Sequence, residues 1–223
     1  FPAEAAWAPV DRYRLRAALL APNLPGRAGI RNATGYEPFM PRAAAELFAP
    51  WQGGFAGVRD ALDAASVRWI VAPERERLPD WRRVAEVLPG WALWENRSAE
   101  PLGTLLPADA GAKPWRSWRS LPRPGTARLA EEGWNGARFA ARADRPGLLV
   151  YRVPWCPGWR AAVNGAPVRP LRAGGLFLGV GVPAGSSEIA FRYAPPSFAL
   201  GLFAATTALG ALLALGCMPP SRA

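Results

Sequence analysis

The stretch YRVPWCPGWRAAVNGAPVRPLRAGGLFLGVGVPAGSSEIAFRYAPPSFALG, residues 151–201, decides the fold class of this chain. Short runs rich in β-branched and aromatic residues alternate with turn signals. Asn164-Gly165 is the preferred pair of a type I′ hairpin turn, and Pro183-Ala184-Gly185 marks a second turn. In residues 188–193 the apolar side chains occupy every second position, as in a strand with one buried face. These features predict an antiparallel β-sandwich.

The residues upstream of this stretch predict a small α/β layer. Apolar residues at helical spacing predict a helix over residues 58–65, and residues 66–73 are predicted to form a strand. A second helix is predicted over 81–88 with Asp80 as its N-cap, followed by a strand over 91–95. This helix–strand–helix–strand order is typical of a small α/β unit.

Two less regular regions complete the organisation. A short helix is predicted over 42–48, and five prolines between 101 and 130 predict an irregular segment there. The predicted fold class is α+β: a small α/β layer, an antiparallel β-sandwich module and one C-terminal transmembrane helix. The predicted units are 1–100 (α/β region), 101–130 (Pro/Arg-rich linker), 131–195 (β-sandwich module), 196–218 (transmembrane helix) and 219–223 (tail).

The C-terminal segment is long, apolar and uncharged. Residues 198–218 contain only Thr206 and Thr207 as polar residues. At ~1.5 Å rise per residue they would form a helix of about 31 Å, close to the thickness of bilayer hydrocarbon. This predicts a membrane span, and the alternative is a buried core helix. Gly201 and Ala205 form a small-x-x-x-small pair, which indicates either contact with another helix or the composition of the chain.

The net charge of +10 is concentrated in the second half of the chain. Residues 1–111 hold equal numbers of basic and acidic side chains, so the whole excess lies in 112–223. The chain begins with Phe1, which we interpret as a fragment or a processed product.

Composition excludes several chemistries. The chain has no histidine, which rules out a Ser-His-Asp triad, a Cys-His dyad and a His-ligated metal within it. Two cysteines cannot supply a zinc site, and a disulfide between Cys156 and Cys217 would have to cross the predicted span. The sequence predicts no catalytic residue, no metal and no cofactor.

A basic segment over residues 113–128 contains five cations, two tryptophans and no acid. Arg binds phosphate through two hydrogen bonds and Trp favours the membrane interface, so the segment could contact anionic lipid or a lipid-linked phosphate. The alternative is a solvated linker. The candidate residues are Lys113, Trp115, Arg116, Trp118, Arg119 and Arg123.

Trp155 and Trp159 flank the turn Cys156-Pro157-Gly158. Paired tryptophans on a β-module can stack on sugar rings, and the alternative is that they close one end of the sandwich core. Nucleic acid is not a predicted partner, because the chain shows no binding-module motif and ends in a membrane span.

The order of motifs in residues 151–201 resembles the C-terminal module of YfhO-like bacterial membrane proteins. That family has an aromatic–Pro–Gly–Trp turn, a hairpin with Asn-Gly or Asp-Gly, a Pro-x-Gly turn and a strand ending in Tyr-x-Pro before the last membrane helix. The matching residues here are Pro157-Gly158-Trp159, Asn164-Gly165, Pro183-Ala184-Gly185 and Tyr193-Ala194-Pro195. Weaker landmarks are Gly35-Tyr36-Glu37-Pro38, residues 65–71 and Trp94-Glu95-Asn96. Cys156 departs from the family pattern.

The resemblance implies a polytopic protein of the bacterial cytoplasmic membrane, similar to GT-C glycosyltransferases, with its soluble part outside the cytoplasm. Such enzymes transfer sugar from polyprenyl-phosphate donors, and their acidic catalytic residue lies in a first outside loop that has no counterpart here. Implied partners are membrane lipid, other transmembrane helices of the same protein, a polyprenyl-phosphate sugar and cell-envelope glycan. Two functions stay open: a C-terminal fragment that supports glycosyl transfer, or a non-catalytic membrane-tethered module that binds glycan or a protein.

Overall fold

A computed structural model describes residues 55–76, 78, 80–133 and 135–216. The side chains of 55–57, 198–199 and 211–216 are outside this description. The helix predicted over 42–48, the landmark at 35–38, the last residues of the predicted span and the tail also lie outside the described residues.

The first unit is one helix packed on a three-stranded antiparallel sheet with strand order β1-β3-β2. Its elements are α1 (Phe55–Ala64), β1 (Trp69–Pro73), β2 (Arg82–Leu88) and β3 (Trp91–Glu95). The helix over 58–65 and the strands at 66–73 and 91–95 are therefore confirmed within a few residues.

The helix predicted over 81–88 is wrong, because these residues form β2. β2 pairs with β3 from Arg82 opposite Glu95 to Leu88 opposite Trp91. Pro89-Gly90 makes the tight turn between them, with Gly90 at a φ of 75° that favours glycine. Asp80 does not cap a helix, and its carboxylate pairs with Arg59 of α1 instead. The expected α/β layer is thus a helix on an antiparallel sheet.

The remaining strands form two larger antiparallel sheets. The four-stranded sheet has the order β10-β11-β7-β4 and the five-stranded sheet the order β5-β6-β12-β8-β9. The strands are β4 (Gly103–Pro107), β5 (Gly125–Gly133), β6 (Gly136–Ala143), β7 (Gly147–Pro154), β8 (Trp159–Val163), β9 (Ala166–Val168), β10 (Leu171–Ala173), β11 (Phe177–Val182) and β12 (Gly185–Tyr193). Asn164 and Gly165 have φ values of 51° and 79°, as a type I′ turn requires.

The proline-rich segment 101–130 is regular rather than irregular. It contains β4, the start of β5 and two 3-10 helices, Ala108–Ala112 and Trp115–Ser120. The prediction failed because the prolines lie at the boundaries of these elements: Pro107 ends β4, and Pro114 precedes the second 3-10 helix.

Residues of the two larger sheets share one hydrophobic core. Phe139, Ile189 and Phe191 come from the five-stranded sheet, and Leu149 and Leu178 come from the four-stranded sheet. The alternation predicted for residues 188–193 is confirmed, since Ile189 and Phe191 are buried, Glu188 and Arg192 are exposed, and Ala190 is half-buried.

Helix α1 connects this β region to the three-stranded sheet. Val58 and Leu62 pack in a cluster with Ile70 of β1. Ala61 and Ala64 belong to a second cluster that contains residues of the four-stranded sheet. Because the two pairs lie on different faces of one helix, α1 is a shared layer of the structure.

The chain continues from β12 into helix α2 (Pro196–Gly216). Every side chain from Leu200 to Gly210 is exposed, including Leu200 at 68% and Phe203 at 71%. A search of the described residues found no helix that combines the length and the hydropathy needed to cross a membrane.

Candidate functional site

Three cations of the predicted lipid-binding segment are paired with acids of the same chain. Lys113 Nζ lies 2.7 Å from Asp109 Oδ2, one helical turn earlier. Arg119 donates a 3.0 Å hydrogen bond to Asp63 in α1. Arg123 donates through Nη2 to both oxygens of Glu100, at 3.1 and 3.0 Å. The pairs of Arg119 and Arg123 connect the segment to α1 and to Glu100, whereas the pair of Lys113 is local.

The tryptophans of the segment differ in exposure. Trp118 is 1% exposed, its Nε1 donates a 2.9 Å hydrogen bond to Ala110, and its ring lies 5.9 Å from that of Phe177. Its burial leaves no ring surface for a ligand. Trp115 is half-buried, and the Arg116 guanidinium lies 4.4 Å from the centre of its ring. Trp115 and Arg116 are therefore the most accessible pair of this segment.

The carboxylate of Asp63 is the centre of a buried polar network. Asp63 is 3% exposed and accepts hydrogen bonds from Asn96 Nδ2 at 2.7 Å and from Ser98 Oγ at 2.9 Å, besides the bond from Arg119. Asn96 also donates to the carbonyl of Val67. A buried carboxylate with this many donors is satisfied, so the network fixes α1, the end of β3 and the second 3-10 helix against one another.

Arg152 of β7 is the main buried ionisable residue that the sequence reasoning missed. Its side chain donates to the carbonyl of Ala64 at 2.8 Å and lies 3.5 Å from Glu100 Oε2. The guanidinium also lies within 6 Å of the ring centres of Trp118 and Phe177. Burial lowers the pKa of Arg152 to about 10, partly offset by Glu100. In the sequence, the single arginine in the otherwise apolar run of residues 148–153 could have indicated this buried cation.

Trp155 and Trp159 lie at one end of the core shared by the two larger sheets. Both are half-buried and pack against that core. The ring centre of Trp159 lies 5.3 Å from that of Tyr193 in a tilted geometry and 6.2 Å from that of Tyr151 in an edge-on geometry, both favourable for aromatic contacts. The two tryptophans therefore close this end of the core and keep part of each ring accessible.

The turn between these tryptophans contacts the entry to α2. Gly158 adopts a φ of 106°, and its carbonyl accepts a 2.9 Å hydrogen bond from the amide of Ala194. A Cβ at Gly158 would lie 2.8 Å from Pro195 Cα, which only glycine avoids. Burial and a hydrogen bond with Cys156 raise the pKa of Tyr193 above its ordinary value. The Pro-Gly-Trp turn and the Tyr-Ala-Pro junction thus form one contact.

Neither a metal centre nor a catalytic constellation emerges from the described residues. No three Asp, Glu or Cys side chains there lie together as metal ligands. The paired carboxylates, Asp63 and Glu100, are occupied by arginines and side-chain donors.

Comparison with curated proteins and with solved structures gave no match. A family model does match, over the part of the chain that contains β6 to β12 and the start of α2. This part includes both halves of the contact between the Pro-Gly-Trp turn and the helix entry. Residues 131–205 match the family of the bacterial membrane protein YfhO, which confirms the resemblance for this third of the chain.

Proposed function

We propose that this chain is the membrane-anchoring β-module of a YfhO-like protein that supports glycosyl transfer at the bacterial cytoplasmic membrane. In this proposal the two larger sheets pack face to face as a sandwich outside the cytoplasm, and α2 enters the lipid. The module includes the predicted linker, since β4 and β5 are strands of its two sheets.

The exposed apolar surface of α2 supports the membrane position most directly. Leu200, Leu202, Phe203 and Leu209 are each more than half exposed. Apolar surface in water is unfavourable by about 25 cal/mol per Å², so these side chains need an apolar environment. The hydroxyls of Thr206 and Thr207 each donate a hydrogen bond to the carbonyl of Phe203, so both hydroxyls are satisfied without water.

The proposed role in glycosyl transfer rests on the family match and not on a site in this chain. The donor is proposed to be a polyprenyl-phosphate sugar and the acceptor a cell-envelope glycan, with the catalytic acid and further helices supplied by the rest of the protein. The hydrogen bond from the Ala194 amide to the Gly158 carbonyl would hold the β-module at a fixed position above the membrane.

Membrane insertion is tested by carbonate extraction of membranes that contain the chain. Leu209→Arg places a charge in α2, at a cost of about 3 kcal/mol in lipid, and should move the chain to the soluble fraction. Leu171→Arg is the matched control, because Leu171 is also exposed but lies in β10. Extraction of the wild-type chain, or equal behaviour of the two variants, would exclude insertion of α2.

Glycosyl transfer is tested in cells that lack the full-length protein. Polyprenyl-linked sugar should accumulate in these cells, and the full-length gene should restore its consumption. Unchanged lipid-linked sugar would exclude the transfer role and leave the tethered module.

The second candidate is a membrane-tethered module that binds glycan. It is favoured by Trp155 and Trp159, which keep part of their rings exposed at one end of the core. Calorimetric titration with cell-envelope glycan fragments would show binding that Trp155→Ala weakens.

Lipid phosphate could also contact the segment 113–123, where Arg116 and Trp115 are the accessible residues.

A further inference from the structure

Two exposed arginines face each other across neighbouring strands of the five-stranded sheet. Arg192 of β12 is the register partner of Arg160 of β8. Both point to the outer face, because the next residues along each strand, Phe191 and Ala161, are buried in the core. A third exposed arginine, Arg169, follows directly after β9, whose Val168 pairs with Ala161. We call Arg192, Arg160 and Arg169 the arginine row.

The charge of the arginine row has no counterpart in the described part of the chain. On its other side Arg192 faces Gly136, which carries no side chain. Arg138 of the same sheet face pairs with Glu131 and Glu188, whereas the described residues give the row no ion pair. Like charges directly opposite each other destabilise a sheet, and this arrangement favours an anion from outside the chain.

The arginine row lies at the end of the sheet that leads into α2. β12 ends at Tyr193 and α2 begins at Pro196, so Arg192 is four residues before the helix. Trp159 and Tyr193 are the neighbours of Arg160 and Arg192 and contact each other at 5.3 Å. Trp and Tyr are enriched at the headgroup level of membranes, where Arg meets lipid phosphate.

We propose that the arginine row binds the phosphate groups of anionic phospholipids that surround α2. The row then orients the sheet on the bilayer surface while α2 enters the apolar core. This inference rests on the membrane position of α2 proposed above, and it adds Arg192, Arg160 and Arg169 to the lipid contact proposed for the segment 113–123.

The test compares binding of the full chain to two kinds of vesicle. Neutral phosphatidylcholine vesicles measure insertion of α2 alone, and vesicles that also contain phosphatidylglycerol add the anionic surface. One arginine near an anionic surface changes the binding constant about fivefold. The double variant Arg160→Gln with Arg192→Gln should therefore lower the preference for anionic vesicles about 25-fold. Binding to neutral vesicles should not change, and Arg160→Lys with Arg192→Lys should retain most of the preference.

The matched control is Arg128→Gln with Arg142→Gln. These exposed arginines lie on the same face of the sheet and carry the same charge. Arg142 pairs with Ser186 of β12, and Arg128 pairs with Ala140 of β6, which in turn pairs with Glu188 of β12. Along β12, Glu188 and Ser186 lie about 13 and 20 Å from Arg192 at ~3.3 Å per residue. The two control arginines lie on neighbouring strands and are at least this far from Arg192, beyond the ~8 Å screening length at physiological salt. We expect this pair to lose less than about twofold, in keeping with that screening.

The outcomes separate the two proposals. Equal losses in both double variants, or a wild-type chain without preference for anionic vesicles, would overturn the role of the arginine row and leave α2 insertion intact. A chain that binds neither vesicle would overturn insertion and the inference together. A further measurement uses neutral vesicles with a trace of polyprenyl phosphate. If the chain binds these vesicles as tightly as vesicles that contain phosphatidylglycerol, the assignment of the arginine row to bulk phospholipid is overturned.

Discussion

Arg152 shows how a single buried cation can hold three elements at one point. Its guanidinium contacts the end of α1 through Ala64, Glu100 after β3, and the rings of Trp118 and Phe177. Removal of one partner of a buried ion pair leaves the other charge without compensation. The residue therefore matters more for stability than any exposed arginine of this chain.

We expect Arg152→Ala to lower the free energy of unfolding by about 3 kcal/mol, because it leaves Glu100 and the Ala64 carbonyl without this donor. Urea denaturation of the full chain in detergent measures the change. Arg128→Ala is the control on an exposed strand position and should cost less than about 0.5 kcal/mol. Equal losses would mean that the buried contacts of Arg152 contribute nothing.

At the scale of elements, the turn of Cys156, Pro157 and Gly158 positions α2. Gly158 and Gly165 both have positive φ, at 106° and 79°. They differ in surroundings, since a Cβ at Gly158 meets Pro195, whereas a Cβ at Gly165 has no atom within 4 Å.

This difference gives a matched pair of substitutions. Gly165→Ala should cost about 1 kcal/mol through backbone strain alone, and Gly158→Ala should cost at least about 1 kcal/mol more because Pro195 must move. Thermal unfolding measures both, and equal costs would show that the turn does not brace the entry to α2.

The stability of the three-stranded sheet depends on pH through the ionisation of Glu95. Burial favours a raised pKa there, but hydrogen bonds from Arg68 and Arg82 outweigh it, and the pKa of Glu95 is lowered below 4.5. A lowered folded-state pKa contributes stability above the unfolded-state value, and this contribution is lost as the pH falls through the folded-state value.

Glu95→Gln should therefore lower the melting temperature at neutral pH. The difference from wild type should shrink as the pH falls below 4.5 and disappear once the pH is below the folded-state pKa. Calorimetry over this pH range is the measurement. Glu86→Gln is the control in exposed β2. A difference between wild type and Glu95→Gln that persists in acid would contradict the assigned ion pairs.

The elements also show what the sequence could reveal. Turn signals located β3 to the residue and placed the type I′ turn at Asn164-Gly165, because short strands with tight turns are encoded locally. β2 was missed because Trp81, Val84, Ala85 and Leu88 fit a helical period, while pairing with β3 decided its structure. The pairs of the basic segment were missed for a similar reason: Asp63 lies 56 residues before Arg119, and Glu100 lies 23 residues before Arg123. Only Asp109 is near its partner, Lys113.

At the scale of the molecule, α1 couples the three-stranded sheet to the two larger sheets. Its apolar faces contribute to two hydrophobic clusters, and the Asp63 carboxylate joins Asn96, Ser98 and Arg119. Loss of this carboxylate would weaken the connection without a direct effect on the central strands β7 and β11.

We expect Asp63→Ala to increase amide hydrogen exchange in β1 and β3 while exchange in β7 and β11 changes little, because local opening does not require global unfolding. Asp60→Ala is the control, since Asp60 is exposed on the same helix. Faster exchange in all sheets would show that the structure opens as one unit.

The position of β12 in the middle of the five-stranded sheet links folding to synthesis. β6 and β8 both pair with β12, yet β12 is the last of the described strands in chain order and directly precedes α2. During translation, the pairs β5-β6 and β8-β9 emerge before β12, and the edges of β6 and β8 that face β12 stay unpaired until it is made. Completion of the sheet therefore coincides with the start of α2 synthesis, so a delay before β12 is made exposes unpaired strand edges to aggregation.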